Sequence, residues 1–102
     1  MATQHRVLVV DDEAGMRELL EIVLNNAGYD VVTVMNRTVA AERLAAESFD
    51  VVITDLRMGT DREAGIHLLA WMQENCAHTP AIMITAHGSV ETAIEAMKLG
   101  AA

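Results

Sequence analysis

Two short apolar runs, each ending on acid, limit what this chain can build. Arg6-Val7-Leu8-Val9-Val10 leads into Asp11-Asp12-Glu13, and Asp50-Val51-Val52-Ile53-Thr54 leads into Asp55. Runs of this length, rich in β-branched residues and without polar alternation, fit strands buried on both faces of a parallel sheet. Ala81–Thr85 repeats the pattern, and Asp30–Met35, with its more mixed Val-Val-Thr-Val, suits an edge strand. Parallel strands need long crossovers, and helical periods fill the gaps.

The first such period is Met16, Leu19, Leu20, Val23, Leu24 and Ala27, with Arg17, Glu18 and Glu21 on the other face and Gly28 as the stop. The second is an Ala-rich helix from a Thr38 cap to about Glu47, with Ala40, Ala41, Leu44 and Ala45 facing inward. Ile66–Asn75 is a third helix, broken off by Thr79-Pro80. Ser89 caps a fourth, with Val90, Ala93, Ile94 and Met97 on one face and Gly100 at its end. Met58–Glu63 reads as a loop. The expected fold is α/β, a single (βα)4 domain over residues 1–102.

The acids then gain meaning from their place. Open parallel sheets bind ligands at the carboxyl ends of their strands. Asp11-Asp12 alone is an ordinary acidic helix start, and Asp55 alone is weaker still. Together, at the ends of the first and third strands, they form a cluster that resists common ionisation. A hard divalent cation with oxygen ligands resolves that conflict, as at a magnesium-type site. Thr85 adds a hydroxyl on the same rim. Neither GxxxxGK[ST] nor GxGxxG is present, so those nucleotide cradles are excluded.

Composition narrows the class. A hydrophobic content of 52% supports a core, and with 3% aromatics that core is aliphatic, its Met residues serving as packing. A net charge of −8 argues against nucleic-acid binding by this segment. Cys76 is the sole cysteine, which fits a cytoplasmic, reducing setting, and no run approaches membrane-spanning length. Trp71 reads as partial core, and His5, His67 and His78 as solvated.

The stretches Val7–Glu13, Val51–Met58 and Ile82–His87 resemble, in order and spacing, the receiver domain of bacterial two-component response regulators. Gly88–Ala101 is most similar to the receivers of NtrC-like transcription activators. The resemblance implies a CheY-like, flavodoxin-like fold with strand order 2-1-3-4 for the strands present. It implies Asp55 as phosphoacceptor from a sensor histidine kinase. It also implies Mg²⁺ held by Asp11, Asp12, Asp55 and the backbone carbonyl of Arg57, with Thr85 as switch hydroxyl and Ala86 leaving room beside it. The domain would be a signalling switch controlling an output such as transcription, not a free-standing enzyme. Aspartate-nucleophile phosphatases need a second acid where Arg57 stands.

Two departures accompany the resemblance. Receivers carry Met-Pro and then Gly after the phosphoacceptor; here Gly59 follows Met58, and the spacing to Gly65 is about two residues longer. The sequence also stops after Gly100-Ala101-Ala102, before the fifth strand and helix and the lysine that strand carries. Lys98 lies on the fourth helix and cannot replace it. The expectation is a truncated receiver that self-associates through its exposed fourth strand or fourth helix. The alternative is a non-phosphorylatable fragment that acts only by self-association.

Overall fold

The computed structural model describes residues 5–84. In chain order these form β1 (Arg6–Val10), α1 (Ala14–Asn26), β2 (Asp30–Val34), α2 (Arg37–Ala46), β3 (Val51–Asp55), α3 (Ala64–Asn75) and β4 (Ala81–Ile84). The strands make one sheet in the order β2-β1-β3-β4, parallel throughout. The fold class and strand order are those expected from the sequence. Thr85, Ala86 and the helix expected from Ser89 lie outside the described residues.

Side chains alternate across the strands, so the register sorts them into two faces. Leu8 and Val10 on β1, Val52 on β3 and Ala81 on β4 share one face. They pack with Ala40 and Leu44 of α2 and with Ile66, Leu68, Leu69 and Met72 of α3 in the main core. Burying a side chain of this size contributes about 1.5–3 kcal/mol. Trp71 packs partly buried against that cluster, as expected. On the other face lie Val7, Val9, Val51, Ile53, Ile82 and Ile84, and α1 packs there along β1 and β2.

That second face is unevenly covered. Val7 and Val9 are buried, Val51 and Ile53 are half-buried, and Ile82 and Ile84 are exposed. Helix α1 departs from expectation here. Its half-buried stripe is Met16, Leu20 and Leu24, whereas Leu19 and Val23, expected to face inward, are 54% and 53% exposed, and Ala27 is exposed as well. Helix α1 packs on β1 and β2, and its Leu19–Val23 side is left uncovered.

Local chemistry sets the ends of the elements. Gly28, at φ +97°, takes the left-handed conformation after α1, and the Tyr29 N–H returns to the Leu24 carbonyl at 3.0 Å. The cap of α2 is Asn36, not Thr38: its Oδ1 accepts the Val39 N–H at 2.9 Å. Thr38 sits inside the helix, too late to bond the first free N–H groups. β2 accordingly ends at Val34, one residue before the expected Met35.

Candidate metal and phosphoacceptor site

The ends of β1 and β3 are adjacent strands in register, Val10 opposite Thr54. The residues that follow them therefore meet at one rim. Asp11, Asp12 and Asp55 each place a carboxylate oxygen within 4.8 Å of the others'. Asp11 is buried, Asp55 half-buried and Asp12 exposed. Asp12, Glu13, Asp55, Arg57 and Gly59 line an open cleft over this cluster.

Each acid is held by backbone. The Asp11 N–H donates to the Val34 carbonyl at 3.1 Å, which ties the loop to β2. Its Oδ1 accepts the Glu13 N–H at 2.9 Å, and its own carbonyl accepts from Arg17 Nη1 at 2.8 Å. Asp12 Oδ2 accepts the Gly59 N–H at 2.8 Å from the loop after β3. The backbone N–H groups of Arg57 and Leu56 favour the ionised form of the Asp55 carboxyl.

These bonds do not fully offset the crowding. Burial, followed by the charge of Asp11, pushes the Asp55 carboxyl above its usual range, against the pull of the Arg57 and Leu56 N–H groups. The donor set is all oxygen, negatively charged and clustered, and so fits a hard divalent cation.

The loop from β3 to α3 frames the cleft. Met58 and Asp61 exchange two backbone hydrogen bonds of 3.0 Å, closing a tight turn with Gly59 and Thr60 at its tip. Gly59, at φ +61°, stands where a type II′ turn requires a positive φ. The Asp61 carboxylate is gripped by His67 Nδ1 at 3.0 Å, Arg37 Nε at 3.6 Å and the Glu63 N–H at 3.0 Å. His67 is thus paired, not merely solvated. The grip on Asp61 and the Gly59 bond to Asp12 were missed from sequence, although the lack of proline after Met58 marked the place.

Residues 7–102 match the response regulator receiver domain. The chain belongs to that family. As a receiver, it is 42% identical over 99 residues to the response regulator protein PilR of Pseudomonas aeruginosa. That alignment covers 97% of the chain and 22% of PilR, so the chain spans about a fifth of its relative's length. Among solved structures, the beryllofluoride-activated NtrC4 receiver domain dimer superposes with a TM-score of 0.85 at 35% identity, covering 94% of this chain and 78% of that one. The expected likeness to NtrC-like receivers therefore holds. The response regulator TrrA of Thermotoga maritima, solved in complex with Mg²⁺ and BeF, superposes with a TM-score of 0.83 at 28% identity, covering 92% and 80%.

Of the residues expected to act in this receiver, Asp11, Asp12, Asp55 and Arg57 come together at one rim. Thr85 lies outside the described residues. Cys76 is half-buried and free, and burial pushes its thiol up, which disfavours the reactive thiolate. No helix among the described residues is long and apolar enough to cross a membrane.

Proposed function

We propose that this receiver accepts a phosphoryl group on Asp55 from the phosphohistidine of a sensor histidine kinase, in the presence of Mg²⁺. The observation that carries the reading is the meeting of Asp11, Asp12 and Asp55 within 4.8 Å at the carboxyl ends of β1 and β3, in a chain of this family. The three carboxylates and the Arg57 carbonyl would hold the ion. Bound there, Mg²⁺ supplies charge neutralisation for the carboxylates and the incoming phosphoryl oxygens.

The chain's own residues supply position. The Arg57 and Leu56 N–H groups favour the ionised, nucleophilic form of the Asp55 carboxylate. One of its oxygens forms a bond to phosphorus as the phosphorus–nitrogen bond to the kinase histidine breaks, and the imidazole takes that electron pair. Thr85 would then bond a phosphoryl oxygen and shift the population of two conformations, passing the signal to an output such as transcription. The test is incubation with a small phosphodonor and Mg²⁺, read by mass. A gain of about 80 Da that Asp55→Asn abolishes is expected; no gain on the folded wild type would overturn the reading.

A second reading adds self-association. The exposure of Ile82 (40%) and Ile84 (42%) on β4 leaves an apolar strand of the kind that pairs with another chain. The neighbouring NtrC4 receiver is described as a dimer, and we propose a second copy of this chain as the occupant. Light scattering at micromolar concentration should give more than the monomer mass, and Ile84→Lys should return it to monomer. A monomeric wild type would count against association.

A further inference from the structure

We infer that the backbone N–H of Gly59 is a positioning group for Asp12, fixing that carboxylate in the orientation that takes a divalent cation. The inference rests on the reading of Asp12 as a metal ligand and goes one shell outward. Asp12 is exposed, and two like-charged carboxylates stand close by. Left alone, an exposed carboxylate in such company turns away from its neighbours into water. Here it does not. Oδ2 is held by the Gly59 N–H at 2.8 Å, a length typical of charge-assisted bonds. In that same arrangement Asp12 still keeps an oxygen within 4.8 Å of Asp11 and Asp55 oxygens. A carboxylate has about four lone-pair directions, so one bond to Gly59 leaves others for the ion. The bond therefore pre-orients the ligand without competing with the cation.

The donor is itself fixed. Gly59 sits at the tip of the turn closed by the paired Met58–Asp61 bonds, and Asp61 is clamped by His67 and Arg37. The N–H thus reaches Asp12 from a loop anchored to both α2 and α3. A proline at this position would have no N–H to give and would demand a negative φ, where the chain has +61°. Partners of this kind, one shell behind a metal ligand, typically tune affinity by about 10–100-fold.

The deciding pair of variants is made by chemical ligation at Cys76, with D-alanine or D-proline at position 59. Both D-residues accept a positive φ, and only D-alanine keeps the N–H. Mg²⁺ and Mn²⁺ affinities are then measured by calorimetry on the full chain. The D-alanine protein should bind within about twofold of wild type, and the D-proline protein about tenfold more weakly. Equal affinity of the two overturns the inference, and so does an equal loss in both, which would assign the effect to loop shape. The amide resonance of Gly59 in the metal-free protein gives an independent readout: it should shift upfield in Asp12→Ala, and no shift overturns the inference. A wild type that binds neither ion, with the Gly59 resonance still responding to Asp12→Ala, would instead reject Asp12 as a metal ligand and the inference with it.

Discussion

Gly65 lies so close to Asp55 that a Cβ on it would stand 2.6 Å from the Asp55 carbonyl oxygen and 3.0 Å from the Leu56 Cα. Both are backbone atoms, one at the last residue of β3 and one just beyond it, so neither can swing aside. The Gly65 N–H also donates to the Leu56 carbonyl at 2.9 Å. The first turn of α3 is thereby pressed against the end of β3, and glycine is what permits the approach. Gly65→Ala must separate the two elements, at about 1–3 kcal/mol as for other overpacked sites. A lower urea midpoint with unchanged slope is the expected result. Phosphodonor labelling of Asp55 should fall as well, because the displaced backbone is the one that carries its side chain.

Asp55 is held in a place where its charge is unwelcome. Because burial and Asp11 raise its carboxyl above the usual value, the folded chain binds a proton there that the unfolded chain releases. Between the ordinary aspartate value of about 3.9 and the raised one, stability falls as pH rises, and above that window it stays at the reduced level. Asp55→Asn, which carries no charge, should therefore melt above wild type at pH 7 without metal, by about 2–5 °C. The gap should shrink as pH falls through the raised value. Saturating Mg²⁺ should raise the wild type by mass action and close the gap from the other side. A metal-free wild type that melts above Asp55→Asn at pH 7 would contradict the electrostatic account.

The strands and the acids at their ends were legible because apolar runs and their polar exits are local signals. Val10 and Thr54 had to be neighbours for Asp11, Asp12 and Asp55 to meet, and a parallel sheet with this strand order makes them so. What the sequence hid was set by partners distant along the chain. Leu19 and Val23 fit the helical period of α1 as well as Leu20 does, and the period alone does not say which side of that apolar arc meets β1 and β2. The bond from Gly59 to Asp12 depends on a turn geometry that a Met-Gly-Thr-Asp string does not announce.

The start of α2 offers a direct check on local chemistry, since the cap is Asn36 and not the Thr38 expected from the sequence. Asn36 Oδ1 takes the Val39 N–H, while Thr38 is already helical. Asn36→Ala should cost about 1 kcal/mol, the usual loss when a cap is removed. Thr38→Ala should stay within about 0.5 kcal/mol of wild type. Urea unfolding of the two variants separates them, and the reverse ranking would move the cap to Thr38.

Asp61 connects stability to the loop that borders the site. Burial works to raise its carboxyl, but the His67 ring, the Glu63 N–H and the charge of Arg37 together hold it below the usual range. A carboxyl lowered by folding contributes stability above its unfolded value, and that contribution is lost as pH falls through the folded value. Asp61→Asn should therefore destabilise by roughly 0.5–1 kcal/mol at pH 7, a modest figure because the partners are partly exposed and screened. The difference from wild type should fade as pH falls from about 3.9 through the lower folded value, below which both chains are neutral at this position. Chemical denaturation across that pH range reads the effect directly. If the grip on Asp61 also steadies the turn that carries Gly59, the same variant should bind Mg²⁺ more weakly at pH 7, and His67→Ala should weaken binding in the same direction.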